Sequence, residues 1–289
     1  MSFWPHLADN ISRHTHQPFS IQSKNAIGSG CINRAYKISD GNKAYFVKLN
    51  STQFGDMFEV EASSLAELAS SHTIKIPQPI CNGSIADQAY IALEHLDLTG
   101  QINSVAQGQQ LAAMHRVTHT QFGWHKNNTI GSTPQSNLQT NDWVSFWREQ
   151  RLLPQLKLAL HNGYQLDAVE QLIDCFDALF VNYQPQASML HGDLWGGNAA
   201  ALGDGTPVIF DPAFYYGDRE TDIAMTHLFG GFEPDFYAAY NEAWPLQTGH
   251  QERRTFYNLY HIINHLNLFG RGYLGQAISM AERVLSQIR

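Results

Sequence analysis

Within LHGDLWGGNAA, residues 190–200, an aspartate and an asparagine stand five positions apart, Asp193 and Asn198, on a stretch softened by Gly192, Gly196 and Gly197. Carboxylates and amides are costly to bury unless paired, so a loop rich in both invites a chemical reading. Phosphoryl transfer to an alcohol needs a carboxylate that orients the hydroxyl and accepts its proton, and oxygen ligands for Mg²⁺. Asp193 suits the base and Asn198 a metal ligand, because Mg²⁺ takes hard oxygen donors and keeps several waters. A second carboxylate belongs after a short hairpin. LGDGTPVIFDPA, residues 202–213, supplies a DG turn, a strand Val208–Phe210 and Asp211 at its exit. Each of these residues alone is also an ordinary turn or cap residue; it is their order and context that make a set.

Two charges further upstream complete it. Lys48 sits in the apolar strand AYFVKLN, where a lysine either snorkels from an edge or points inward to a partner. In the next segment, DMFEVEASSLAELASS (56–71), Phe58, Glu61, Leu65 and Leu68 recur at helical spacing. Glu61 is thus a carboxylate on an apolar stripe, and Lys48 is the nearest cation in the chain. A strand lysine paired with a glutamate on the following helix orients the lysine toward nucleotide phosphates in protein-kinase-like folds; the alternative is a plain internal salt bridge. IGSGCINRAY places Gly28, Ser29 and Gly30 at a strand-to-strand turn, where glycine permits close backbone approach to an anion. It lacks both GxGxxG and a Walker GK[ST], so alone it is a weak signal.

The elements that must position these groups divide unevenly. NAIGSGCINRAYKISDGNKAYFVKLN (25–50) reads as a β-meander, IPQP (76–79) breaks the chain, and QAYIALEHL (88–96) reads as a further strand. Beyond about residue 99 the pattern is mostly helical, apart from 187–213. A β-rich first third and a mainly helical remainder predict an α+β, two-lobed architecture, with an N-terminal lobe over 1–93 and a C-terminal lobe over 94–289. The 289 residues are 43% hydrophobic and only 15% charged, with a formal net charge of −8. This acidity excludes non-specific nucleic-acid binding as a main role. No apolar run approaches the roughly 18 residues that span a bilayer, and the N-terminus lacks a signal-peptide layout. Three scattered cysteines, Cys31, Cys81 and Cys175, build neither a disulfide framework nor a zinc site. The expectation is a cytoplasmic globular protein without a membrane or nucleic-acid partner.

HGDxxxxN followed by a strand ending in aspartate resembles the aminoglycoside phosphotransferase and choline kinase branch of the protein-kinase-like fold. The tryptophan of HGDLWGGN narrows the resemblance to the fructosamine kinase (ketosamine 3-kinase) family. GCINRAY, YFVKLN, MFEVEASSLAELA, FGWHKNNTIGSTPQSN and DPAFYYGDRETDIAMTHLFGGF look like the same family, over nearly the whole chain. The resemblance implies ATP- and Mg²⁺-dependent phosphorylation of the 3-hydroxyl of a ketosamine, small or protein-borne; the unstable product then releases its amine and reverses glycation. It implies Asp193 as proton acceptor, Asn198 and Asp211 as Mg²⁺ ligands, Lys48 with Glu61 on the ATP phosphates, and Gly28–Gly30 over them. Glu94, His95 and Leu96 would meet adenine, and Trp195 would shape the sugar pocket. The alternatives are a kinase of another small hydroxyl compound, aminoglycoside- or choline-like, or a nucleotide-binding scaffold without turnover.

Some residues admit two readings. His115/His119 and His261/His265 are each four apart, but neither pair has an evident third metal ligand, and both read as structural or surface histidines. His191 reads as a loop support. Asp222 reads as a tether of the catalytic loop or a helix cap, which leaves Asp218 and Glu220 as amine-binding candidates. Trp143, Phe146, Trp147 and Leu153 read as core. Cys31 adjoins the glycine turn, so it is either inert or a redox site whose oxidation, through an intermolecular disulfide, blocks ATP binding. That leaves a monomer or a redox-sensitive homodimer.

Overall fold

The computed structural model describes residues 2–29 and 33–288. The chain divides into two compact units, one of Met1–Asn103 with Ala200–Asp211, the other of Ser104–Ala199 with Pro212–Arg289.

The first unit is built on a five-stranded antiparallel sheet, β1 (Ser23–Ser29), β2 (Arg34–Ser39), β3 (Ala44–Ser51), β4 (Pro79–Ile85) and β5 (Gln88–Glu94), in the order β1-β2-β3-β5-β4. Helix α1 (Phe3–Thr15) buries Leu7 and Ile11 with Ile38, Val47, Leu49 and Tyr90. Helix α2 (Gly55–Ala69) buries Phe58, Leu65 and Leu68, the stripe expected from its periodicity. β4 escaped the sequence reading because Pro79 and Gly83 break the strand pattern. Proline is tolerated at the first residue of an edge strand, and β4 is such a strand.

The unit boundary falls after Asn103 rather than at 93/94, and 200–211 returns to the first unit. Hydrogen bonds explain both. Gly100 N–H donates to the Ala201 carbonyl, Asn103 N–H to Gly205 and Ile209 N–H to Lys75.

In the second unit, α3 (Ser104–His115) precedes short strands β6 (Thr118–His119), β7 (Asn128–Ile130) and β8 (Thr133–Gln135). Then come α4 (Trp143–Trp147), a π-helical turn (Arg148–Leu152), α5 (Leu153–His161), α6 (Asp167–Cys175) and β9 (Ala187–Leu190). β10 (Ala199–Ala201) and β11 (Pro207–Ile209) form the hairpin that the first unit takes up. The chain re-enters the second unit through β12 (Tyr215–Gly217), which pairs with β9, and ends in α7 (Glu220–Thr226), α8 (Pro234–Ala243), α9 (His250–Phe269) and α10 (Leu274–Ile288).

The run NDWVSFWREQRLLPQLKLALH, read as helical throughout, is interrupted by the π turn. Pro154 has no N–H for the carbonyl four residues back, that of Gln150. The Arg151 guanidinium donates to that carbonyl at 2.9 Å and to Ser136 O and Asn137 Oδ1. Arg151 is fully buried and lies 4.1 Å from the Tyr215 ring centroid. Trp143, Phe146 and Trp147 are core as expected, while Leu153 is only half-buried and Leu152 takes its place inside.

Candidate active site

Lys48 lies on the central strand, with Ala35 of β2 on one side and Ile91 of β5 on the other, so the edge reading fails. Its ammonium is buried and donates to Glu61 Oε1 at 2.6 Å and Asp211 Oδ1 at 2.5 Å. Burial by itself would lower the lysine pKa, but the carboxylates of Asp211 and Glu61 outweigh it and raise it, so the cation persists at neutral pH. Burial raises the Glu61 carboxyl against the pull of Lys48. One cation facing two carboxylates leaves an excess negative charge at this point. Asp211 has φ of +59°, a left-handed conformation uncommon outside glycine that strained functional positions often adopt.

Glu94 spends its side chain on Lys75, at 2.9 and 2.8 Å. Its backbone N–H donates to the Gln78 carbonyl at 2.8 Å, so adenine could not be read by that N–H. His95 and Leu96 follow in extended chain, and burial lowers the His95 pKa. Gly28 and Ser29 close β1 beyond a register shift that begins at Ala26. Gly30 and Cys31 lie outside the described residues. Of the other cysteines, Cys81 is buried, and burial pushes its thiol up to about 11.

The HGDLWGGN loop belongs to the second unit. Gly192 has φ of +82°, and a Cβ there would stand 2.1 Å from the Ala213 carbonyl oxygen, so no side chain fits. Gly197 is required for another reason: a Cβ would meet the Trp195 ring at 2.3 Å. The tryptophan is thereby seated over the loop, half-exposed, with its edge to Phe229 at 5.9 Å. Asn198 Nδ2 donates to the Asp193 carbonyl at 2.8 Å and to Asp193 Oδ2 at 3.3 Å. This orients the amide and ties the two residues named from their spacing. His191 supports the loop, its Nδ1 accepting from Asp193 N–H at 3.3 Å.

Asp222 tethers the loop. Oδ2 accepts from His191 N–H at 2.7 Å and from His115 Nε2 at 3.1 Å, and Oδ1 accepts from Gly192 N–H at 2.8 Å. Burial alone would raise this carboxyl, but His115, His191 and the Gly192 N–H outweigh it and hold it below its usual range. Burial keeps His115 below the usual imidazole range against the pull of Asp222. The neutral ring therefore donates from Nε2 and accepts at Nδ1 from Tyr240 Oη, 2.7 Å away. Tyr240 in turn accepts from Arg219 at 3.1 Å. The sequence reading found Asp222 but not its partners His115, Tyr240 and Arg219, whose only signal was unexplained polarity in apolar surroundings.

Asp218 and Glu220 are not amine binders at a substrate mouth. Asp218 is fully buried, accepting from Tyr257 at 2.5 Å, Tyr183 at 2.7 Å and Glu220 N–H at 3.0 Å. Burial, with the nearby charge of Glu220, pushes it up to about 7. Glu220 forms a buried two-point pair with Arg253, at 2.8 and 2.9 Å. Both are consumed inside the unit. Of the histidine pairs, His115 and His261 are buried, His265 is half-buried and His119 is exposed.

The sequence matches the fructosamine kinase family model over residues 3–287. The chain belongs to the fructosamine kinase family. It is 46% identical over 285 residues to a probable ketoamine kinase of Synechocystis sp., covering 98% of this chain and 97% of that protein. It is 40% identical over 272 residues to the chloroplastic protein-ribulosamine 3-kinase of Arabidopsis thaliana, covering 91% of this chain and 83% of that protein. A crystal structure named for fructosamine-3-kinase, from Haemophilus somnus 129PT, superposes with a TM-score of 0.89 at 28% identity, covering 96% of each chain. The same α+β kinase-like fold extends to an aminoglycoside phosphotransferase in complex with ADP and hygromycin B, at a TM-score of 0.66 and 14% identity, covering 99% of this chain and 98% of that one.

Proposed function

We propose that this protein is an ATP-dependent ketosamine 3-kinase that acts in deglycation. The observation that carries the reading is the buried Lys48, held by Glu61 from the next helix and by Asp211 from 163 positions downstream. Packing alone has no use for two carboxylates on one buried cation, whereas nucleotide phosphates and a divalent cation do. The excess negative charge and the oxygen donors of Asp211 and Asn198 fit Mg²⁺.

In this reading Lys48 binds the ATP phosphates and Glu61 fixes its direction. Gly28–Gly30 cover the phosphates, and the segment Glu94–Leu96 meets adenine. Asn198 and Asp211 hold Mg²⁺, which when bound neutralises charge on the phosphates. Asp193 orients the 3-hydroxyl of the ketosamine and accepts its proton as the oxygen–phosphorus bond forms and the bond to ADP breaks. The 3-phosphate ketosamine then loses inorganic phosphate by β-elimination, and hydrolysis releases the amine from the remaining deoxyosone. The relatives named as ketoamine and ribulosamine kinases support this substrate class. Cytoplasmic residence is part of the proposal; among the described residues no helix is long and apolar enough to cross a membrane.

The test is ATP consumption with synthetic fructosyl-, ribulosyl- and erythrulosyl-amines beside an aminoglycoside and choline, with ³¹P NMR locating the new phosphate. A phosphate on the sugar 3-oxygen, lost with EDTA and in Asp193→Asn, supports the reading. Turnover of only the aminoglycoside or choline, or undiminished turnover in Asp193→Asn, overturns it.

A further inference from the structure

The ring of Trp195 begins a continuous aromatic run within the second unit. Phe229 meets Trp195 edge-on, and His265 lies 4.8 Å from Phe229. His265 in turn touches Phe269 at 5.4 Å and Tyr273 at 5.2 Å, which lie 6.4 Å from each other. The run ends in solvent, with Phe269 56% exposed. Phe269 closes α9, so the run reaches the surface at the C-terminal end of that helix.

We propose that this run is the subsite for the amine-borne arm of the ketosamine, a proposal that rests on the ketosamine kinase reading above. A ketosamine carries its sugar on one side of a secondary ammonium and the carbon chain of the amine on the other. With the sugar hydroxyl at Asp193, Trp195, two residues further on, is the first ring available to the arm. Ring faces attract an ammonium and pack alkyl or aryl chains. The acidic candidates for the ammonium, Asp218 and Glu220, are buried and paired elsewhere. His265 Nδ1 lies 2.8 Å from the His261 carbonyl, which can only accept, so Nδ1 carries the hydrogen and Nε2 is the acceptor. Burial lowers the His265 pKa, and a neutral ring does not repel an ammonium. The subsite therefore favours long alkyl or aromatic amines, such as a glycated lysine side chain, over small ones.

The experiment measures kcat and KM on the full-length protein with two ketosamines of one sugar, built on methylamine and on benzylamine. The wild type is expected to prefer the benzylamine adduct. Phe269→Ala is expected to cut the benzylamine-to-methylamine ratio of kcat/KM about five-fold, through KM, the scale of one lost aromatic contact. Phe269→Trp restores the ratio, and Tyr273→Ala provides a second, independent reduction. A wild-type ratio near one, or a ratio unmoved in both alanine variants, overturns the inference while turnover of the methylamine adduct leaves the kinase reading intact. If the wild type phosphorylates neither adduct, the ketosamine reading fails and takes the subsite with it.

Discussion

Replacing Asp222 with asparagine tests whether a single buried carboxylate holds the HGDLWGGN loop in shape. Its oxygens accept three hydrogen bonds, from the N–H groups of His191 and Gly192 and from His115. All three partners are donors. Whichever way an asparagine amide turns, its NH₂ faces at least one of them, so a donor is left unsatisfied and the anion that strengthened the others is gone. A hydrogen bond to a charged group contributes about 1.5–3 kcal/mol, and a buried orphan donor costs about 1–3 kcal/mol. Their combination gives a loss of about 3–5 kcal/mol. At about 2–4 °C per kcal/mol this lowers Tm by about 10 °C. If the loop relaxes instead, Asp193 shifts, and a displacement near 1 Å is expected to reduce kcat about 100-fold. Differential scanning calorimetry and steady-state ATP turnover read the two outcomes. A variant with both wild-type Tm and wild-type kcat would refute the tether. The pH dependence has a definite sign. The folded pKa is depressed, so the stabilisation is present above the unfolded carboxylate value and is lost as pH falls below it, in the range under about pH 4.

Other perturbations address separate groups. Lys48→Met strips the cation from two carboxylates and should destabilise the protein by about 3–5 kcal/mol while abolishing the thermal shift produced by ATP with Mg²⁺; Lys48→Met with Glu61→Gln should recover part of the stability but none of the nucleotide response. Gly197→Ala drives a methyl into the Trp195 ring and should raise KM for the ketosamine several-fold with little change in Tm, measured by kinetics and calorimetry together. Asp218 carries a raised pKa, about 7, so its contribution to stability is full below the unfolded carboxylate value near 4 and declines as pH rises to about 7. Melting curves from pH 5 to pH 8 should show that decline. Asp218→Asn should flatten it, because the amide oxygen can still accept from Tyr183 and the Glu220 N–H while the Tyr257 hydroxyl turns to accept.

Local patterning sufficed for most of the elements that carry chemistry. Alternation and turn residues marked β1–β3 and β5, and the stripe Phe58–Glu61–Leu65–Leu68 marked α2, because period and turn preference act over a few residues. The spacing of Asp193 and Asn198 placed both on one tight loop, but the hydrogen bonds from the Asn198 amide to Asp193 were not foreseen. What stayed hidden depended on partners remote in sequence. β4 is a strand only because β5 offers it an edge, and the hairpin with Asp211 joins the first unit through backbone bonds to residues a hundred positions away. Exposure of Asp218 and Glu220 could not be judged from their neighbours; Tyr183, Tyr257 and Arg253 bury them.

By itself, the sequence determined the chemical inventory: a lysine, carboxylates and an amide in an order suited to phosphoryl transfer, on elements that short-range preferences specify. Tertiary structure alone decided which cation each carboxylate meets and how deeply it is buried. It put Asp211 on Lys48, closed Glu220 onto Arg253, and laid Trp195 over Gly197. The reason is physical. The pairing and desolvation of a charge are set by whatever long-range packing brings within a few ångströms, and no local pattern encodes that.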